Sequence, residues 1–396
     1  MQNTKQSFFH WSLFLLSLGI VIIFAIIVVF PALLLRSMGG TENYANINSF
    51  ETGIWAYPFL VTNFILIIIG ILHFKNKIPQ PIKKSIRAIL DFEVSKEITF
   101  LVVTALLGIF IIFTVNELFT EEPWGDYQKD KLAIQQWTPP DIQHVFLQFN
   151  FFLLYTSMKV FGNYKVLPFI ASISLLVLTY LITSEISKKR FAGIVAIVIV
   201  LQSGIFRNYD TSLVYPNFWV LLYVLSLYMI YKKWLVSPLS FILSMFSKGL
   251  TSIFIPMTFF FIYRSHITKQ KKIFLAISYG IIIVLGMVYY LTYLVVDYKT
   301  FSSYDFLRAF NAISYQLRND GLVVMFLPIL IVGLFIYSRR GVRYADSIMI
   351  LIIGMILSQS FLAALTVNLS EIYRFMPLIV FFAIGVGTIL SKKLAS

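Results

Sequence analysis

The chain has 396 residues, of which 59% are hydrophobic and only 13% charged, and its mean hydropathy is +0.83. A soluble globular domain carries about 25% charge, so the composition predicts an integral membrane protein. The net charge of +14 is spread between apolar segments, as on the cytoplasmic flanks of membrane helices, which argues against nucleic acid as a partner. The absence of cysteine excludes disulfides, thiolate metal sites and cysteine nucleophiles.

Apolar runs of roughly bilayer-crossing length occur at Trp11–Leu35, Gly53–Phe74, Ile98–Val115, Tyr164–Thr183, Phe191–Phe206, Val214–Ile230, Ile273–Val296, Gly321–Tyr337, Ser347–Val367 and Phe375–Leu390. They are continuous rather than alternating, which selects helices over a β-barrel. The first run is too long for a signal h-region and lacks a small-residue cleavage site, so it reads as a retained span. Two further apolar stretches, Ile142–Phe161 and Pro238–Tyr263, are ambiguous by length alone.

Charge placement resolves both stretches. The N-terminus, Lys75–Lys96, Lys188–Arg190, Lys232–Lys233, Arg264–Lys272, Arg339–Arg343 and Lys392–Lys393 hold most of the Lys and Arg residues and belong on the cytoplasmic side. That assignment holds only if Ile142–Phe161 lies on or dips into the outer face without crossing and Pro238–Tyr263 enters and returns to the same side. Basic residues on both flanks of Pro238–Tyr263 favour the return, with Ser247-Lys248-Gly249 as its turn; the alternative is a single tilted span. Pro81–Lys96 sets Ile82, Ile86, Ile89 and Leu90 opposite Lys83, Lys84 and Arg87, the pattern of an interfacial helix on anionic lipid. Asp297–Asp320, with a Phe306, Leu307, Phe310 and Ile313 stripe, predicts a second interfacial helix outside.

The expected fold class is all-α: a polytopic transmembrane helix bundle of about ten full spans, a re-entrant or short-helix hairpin, and outer interfacial helices. It divides into a two-span extension over 1–97, with its cytoplasmic amphipathic helix, and a larger module over 98–396. Both termini are expected in the cytoplasm of a multi-pass protein of the plasma membrane.

The longest polar passage, 116–144, is the first outer loop of that module and carries Glu117, Glu121, Glu122, Asp126, Asp130 and Asp141. Asp126 follows the turn-forming Pro123-Trp124-Gly125, close to the end of a span. A carboxylate there is placed either to act as general base toward an acceptor hydroxyl or simply to be solvated. Glu121 and Glu122 are positioned to share a divalent cation with Asp126, although their spacing matches no established metal loop. Lys248 is alone in an apolar run, where an ammonium must find an anion or reach the headgroups; a phosphate satisfies it. Arg207 and Asp210 lie on a polar turn of the outer face, either as a local pair or with Asp210 supporting the catalytic carboxylate. Glu371 and Arg374 precede the last span, where a planar, permanently charged guanidinium suits a phosphate or an anchoring role. His144 opens the outer apolar stretch, facing a substrate or serving structure.

The order of these features resembles the GT-C glycosyltransferases, polytopic enzymes that draw sugars from polyprenyl-phosphate donors. The family includes dolichyl-phosphate-mannose protein mannosyltransferases and lipid A aminoarabinose transferases. The likeness lies in the outer-loop acid, the prolines leading to Val160-Phe161-Gly162, Tyr209-Asp210 before Pro216-Asn217, Phe246-Ser247-Lys248-Gly249 running to Ile255-Pro256, and Glu371–Phe375 before Pro377. It implies Asp126 as catalytic base, Lys248 and Arg374 as donor-phosphate ligands with Arg207 assisting, and Glu121, Glu122, Tyr127, His144, Asp210 and Glu371 in support. Two departures stand out. Asp126 is followed by Tyr127 rather than a second acid, and His144 comes after Pro139-Pro140 rather than before. The implied activity is inverting transfer of a sugar from a polyprenyl-phosphate-linked donor to a lipid, glycan or protein hydroxyl. The alternatives are a transporter or flippase of a lipid-linked substrate, and a non-catalytic subunit of a membrane complex.

Overall fold

The computed structural model describes residues 2–33, 48–75, 77–137, 145–293, 300–342, 344–365 and 371–391. Among the described residues there is no strand. Helices run at α1 (Gln2–Val29), α2 (Ala56–Phe74), α3 (Gln80–Asp91), α4 (Lys96–Thr114), α5 (Tyr127–Gln135) and α6 (Val145–Phe161). They continue with α7 (Val166–Ser187), α8 (Arg190–Gln202), α9 (Gly204–Tyr209), α10 (Phe218–Lys232), α11 (Val236–Ser247) and α12 (Ile255–Arg264). The last are α13 (Lys269–Tyr293), α14 (Ser303–Gln316), α15 (Gly321–Arg339), α16 (Ala345–Leu365) and α17 (Met376–Ile389).

Seven helices among the described residues are long and apolar enough to cross a membrane: α1, α2, α4, α7, α15, α16 and α17, with short 3₁₀ turns extending α4 and α17. Hydrocarbon forces such segments into helices because every backbone N–H and C=O must be satisfied within the segment. Their boundaries follow local chemistry. Ser95 caps α4 by accepting from the Ile98 N–H at 3.3 Å, and Glu97 sits in the first turn, where the helix dipole favours an acid. Pro81, Pro256 and Pro377 occupy first-turn positions that have no N–H to lose. Gly162, at φ +68, closes α6 in the left-handed conformation that glycine adopts without strain.

By compactness the chain forms two units: residues 1–93, 185–192 and 297–396, and residues 94–184 and 193–296. The boundary at Glu93 falls close to the expected break at 97, but residues 297–396 join the N-terminal unit rather than the module predicted over 98–396. In this first unit α1 and α2 pack on α15; Phe14 stacks on Phe335 at 4.0 Å, and Asn63 donates to the Met325 carbonyl at 3.1 Å. Helices α16 and α17 form its buried centre. Phe310 and Ile313, the stripe expected to meet lipid, are buried, because α14 packs along α16. Helix α3 has no buried residue and exposes Ile82, Ile86 and Ile89. The ammonium of Lys189 holds the end of α3 through the carbonyls of Leu90 and Phe92.

In the second unit α10, α11 and α6 pack together, and α5 lies on α6. The stretch 238–263 is a hairpin. Lys248 breaks the helix at φ −155, ψ 114, and the Ser244 and Thr251 hydroxyls, on opposite sides of it, hydrogen-bond at 3.0 Å. Tyr279 of α13 touches Phe241 before the turn and Phe259 after it. Trp234, before the hairpin, receives Lys271 over its ring, while Lys272 donates to the Tyr263 carbonyl. Both ends of the hairpin therefore meet the start of α13.

Candidate active site

The polar loop is built on the second unit. A 3₁₀ turn, Val115–Phe119, extends α4, and an irregular stretch leads to α5. Trp124 stacks on Tyr209 at 5.1 Å and meets Tyr215 edge-on, which fixes the Pro-Trp-Gly lead-in. Asp126 takes the cap position of α5 at φ −83, ψ −7 with no side-chain cap bond, and it is exposed. Tyr127 and Ile134 turn the opposite way, into an apolar cluster with Leu154, Leu213 and Phe218. Burial, then the charges of Glu122 and Glu121, raises the Tyr127 pKa.

Asp130 lies one turn beyond Asp126, and its N–H donates to the Asp126 carbonyl at 2.9 Å. Its carboxyl is pushed up, first by burial and next by Asp126, while Lys129 and Lys248 pull it down. The hairpin tip thus brings Lys248, half-buried, to the same end of the unit as the acidic helix.

Behind the loop is a buried knot of charge. The Lys165 ammonium donates to the carbonyls of Glu117 at 3.0 Å and Thr120 at 2.7 Å, and lies 3.9 Å from the Glu122 carboxylate. The Lys165 and Glu122 side chains are only 5% and 6% exposed. Glu122 also accepts from the Ser212 hydroxyl at 2.8 Å and the Leu213 N–H at 2.5 Å. Burial lowers the Lys165 pKa against the lifting charges of Glu122, Glu117 and Asp210. Asp210 accepts from the Thr114 hydroxyl at 3.4 Å, and its second oxygen, Oδ1, is buried without a hydrogen bond. Burial, then Glu117, pushes its pKa up to about 8.

Several expected residues find their places here. Glu122 is a structural clasp on the 212–213 turn, so its carboxylate is engaged before any metal arrives. Glu121 is exposed and 3.7 Å from Lys131. Among the described residues no group of three or more His, Cys, Asp or Glu is arranged to hold a metal. Arg207 is exposed, whereas Asp210 is buried against Thr114; the local pair weighed from the sequence does not form. Arg374 belongs to the first unit, in the 3₁₀ turn Ile372–Phe375, with its Nε 3.3 Å from the Tyr373 hydroxyl. Glu371 beside it is exposed. His144 lies outside the described residues.

Sequence reasoning passed over Lys165, Asp130 and the structural role of Glu117. The signal for Lys165 was present: a lysine opening an apolar run on the face assigned few cations. Asp130 was legible too, four residues from Asp126 and so on the same helical side. No family model, curated protein or solved structure matches the chain.

Proposed function

We propose that the chain is an inverting glycosyltransferase that moves a sugar from a polyprenyl-phosphate donor to a hydroxyl of a lipid, glycan or protein at the outer membrane face. One observation carries the reading: within the second unit, Asp126 opens a helix as an exposed carboxylate, and the Lys248 charge reaches Asp130 one turn further on. An exposed carboxylate and a nearby cation are the two charges that displacement at an anomeric carbon needs. Asp126 takes the acceptor proton as the acceptor oxygen bonds to the anomeric carbon. The bond from that carbon to the donor oxygen breaks, its electron pair passes to the phosphate, and Lys248 stabilises the growing charge. Exposed Arg207, in the last turn of α9 two residues before the stacked Tyr209, is placed to assist. The reading stands on the second unit alone, without Arg374. It takes the chain as crossing the plasma membrane about ten times, with both termini and the basic loops in the cytoplasm.

The test is sugar transfer by purified protein in proteoliposomes from a synthetic polyprenyl-phosphate sugar. Asp126→Asn is expected to reduce turnover by about 10²–10⁴ with insertion unchanged; full turnover in that variant removes the assignment. A second reading, a carrier of a lipid-linked substrate, is favoured by Asp210, since buried ionisable groups near spans mark proton and substrate paths. It predicts movement of the labelled donor between leaflets without transfer to any acceptor.

A further inference from the structure

A cavity of about 390 Å³ opens in the first unit, where α1 ends and α2 begins. Its size falls within the range of small-ligand sites, roughly 300–1,000 Å³. Val28, Pro31 and Trp55 give it apolar walls, Tyr315 and Arg318 close another side, and Glu51 stands at its exposed rim. The wall is fixed. The Trp55 indole N–H donates to the Arg318 carbonyl at 2.9 Å, and a Cβ on Gly53 would meet the Val28 carbonyl oxygen at 2.6 Å.

Two features point to the occupant. The cavity sits at the ends of two helices long and apolar enough to span a bilayer, the depth at which Trp and Tyr gather and headgroups lie. It also carries opposite charges that are not spent on each other: the Arg318 guanidinium lies over the Tyr315 ring at 4.1 Å, and Glu51 faces solvent. A planar guanidinium presents paired donors that match phosphate oxygens, and a carboxylate accepts from an amine.

We propose that this cavity binds a zwitterionic phospholipid, with its phosphate on Arg318, its amine on Glu51 and the start of its chains against Trp55 and Val28. The site is independent of the transfer chemistry assigned to the second unit.

The experiment is native mass spectrometry of the full chain in detergent, with phosphatidylethanolamine or phosphatidylglycerol at equal concentration. The wild type is expected to retain phosphatidylethanolamine about tenfold better, the measure of one charge-assisted hydrogen bond. Glu51→Gln should erase that preference while leaving phosphatidylglycerol retention unchanged. Arg318→Gln should lower retention of both lipids, and Arg318→Lys should recover part of it. Equal retention of the two lipids by the wild type overturns the proposal, as does undiminished preference in Glu51→Gln, whose exposed site makes misfolding a poor explanation. Displacement of the lipid by an equal concentration of glycerophosphoethanolamine, which has no chains, overturns a lipid as the occupant.

Discussion

Lys165→Met removes the cation at the centre of the buried knot and keeps most of the side chain's volume. At 3.9 Å from Glu122, the lost attraction is about 4 kcal/mol at an effective dielectric of about 20. Two charged-donor hydrogen bonds to the carbonyls of Glu117 and Thr120 add about 1.5–3 kcal/mol each. Desolvation of the ammonium, which already holds its pKa down, offsets a large part. Breaking one side of a buried pair then costs about 3–5 kcal/mol, because the remaining carboxylate is left uncompensated. Unfolding by denaturant in mixed micelles, followed by tryptophan fluorescence, measures the loss, with Trp124 reporting from the adjoining loop. Glu122→Gln in the same chain relieves the stranded charge, so the double variant should be more stable than the two single losses summed. A Lys165→Met loss below about 1 kcal/mol, or single effects that add within about 0.5 kcal/mol, would refute the knot as a coupled unit.

Lys248→Met should lower sugar transfer by about 10²–10³, the usual effect of deleting one donor that faces developing charge; Lys248→Arg should restore part of it, and an unchanged rate in the Met variant would dismiss the phosphate role. For Asp210 the folded pKa of about 8 stands above the ordinary 3.8, so between those values the native state keeps a proton that the unfolded chain has released. Stability from this group therefore falls as pH rises from about 4 to 8 and is level above that. Thermal midpoints across the window should decline less steeply in Asp210→Asn than in the wild type, and identical slopes would contradict the buried, protonated carboxyl.

Among the described residues, seven of the ten expected apolar runs form helices long and apolar enough to cross a membrane, while Phe191–Phe206, Val214–Ile230 and Ile273–Val296 are not among them. The seven were legible because lipid leaves an apolar run of that length no other conformation. The break in Pro238–Tyr263 was legible because Ser247-Lys248-Gly249 interrupts an otherwise apolar run. Amphipathic pattern was less informative. It marked α3 and α14 alike, yet Ile82, Ile86 and Ile89 are exposed while Phe310 and Ile313 are covered by α16. Periodicity shows that a stripe needs cover and does not say whether lipid or protein supplies it. The knot was hidden for a different reason. Lys165 reaches the Glu117 carbonyl 48 residues away, and Glu122 reaches Leu213 across 91. Such pairings leave no trace in local spacing. Asp126 remained where the turn residues put it, while Glu122, expected beside it as a possible cation ligand, is taken up by the fold.

A hairpin that leaves from the end where it entered adds nothing to the count of crossings. The start of α13 lies beside both Trp234 and Tyr263, so α13 sets out from the end of the unit where α10 stops, as though the hairpin had been excised. Such an insert can acquire, lengthen or lose a polar tip without redirecting α13. A straight helix in its place would start α13 from the opposite end.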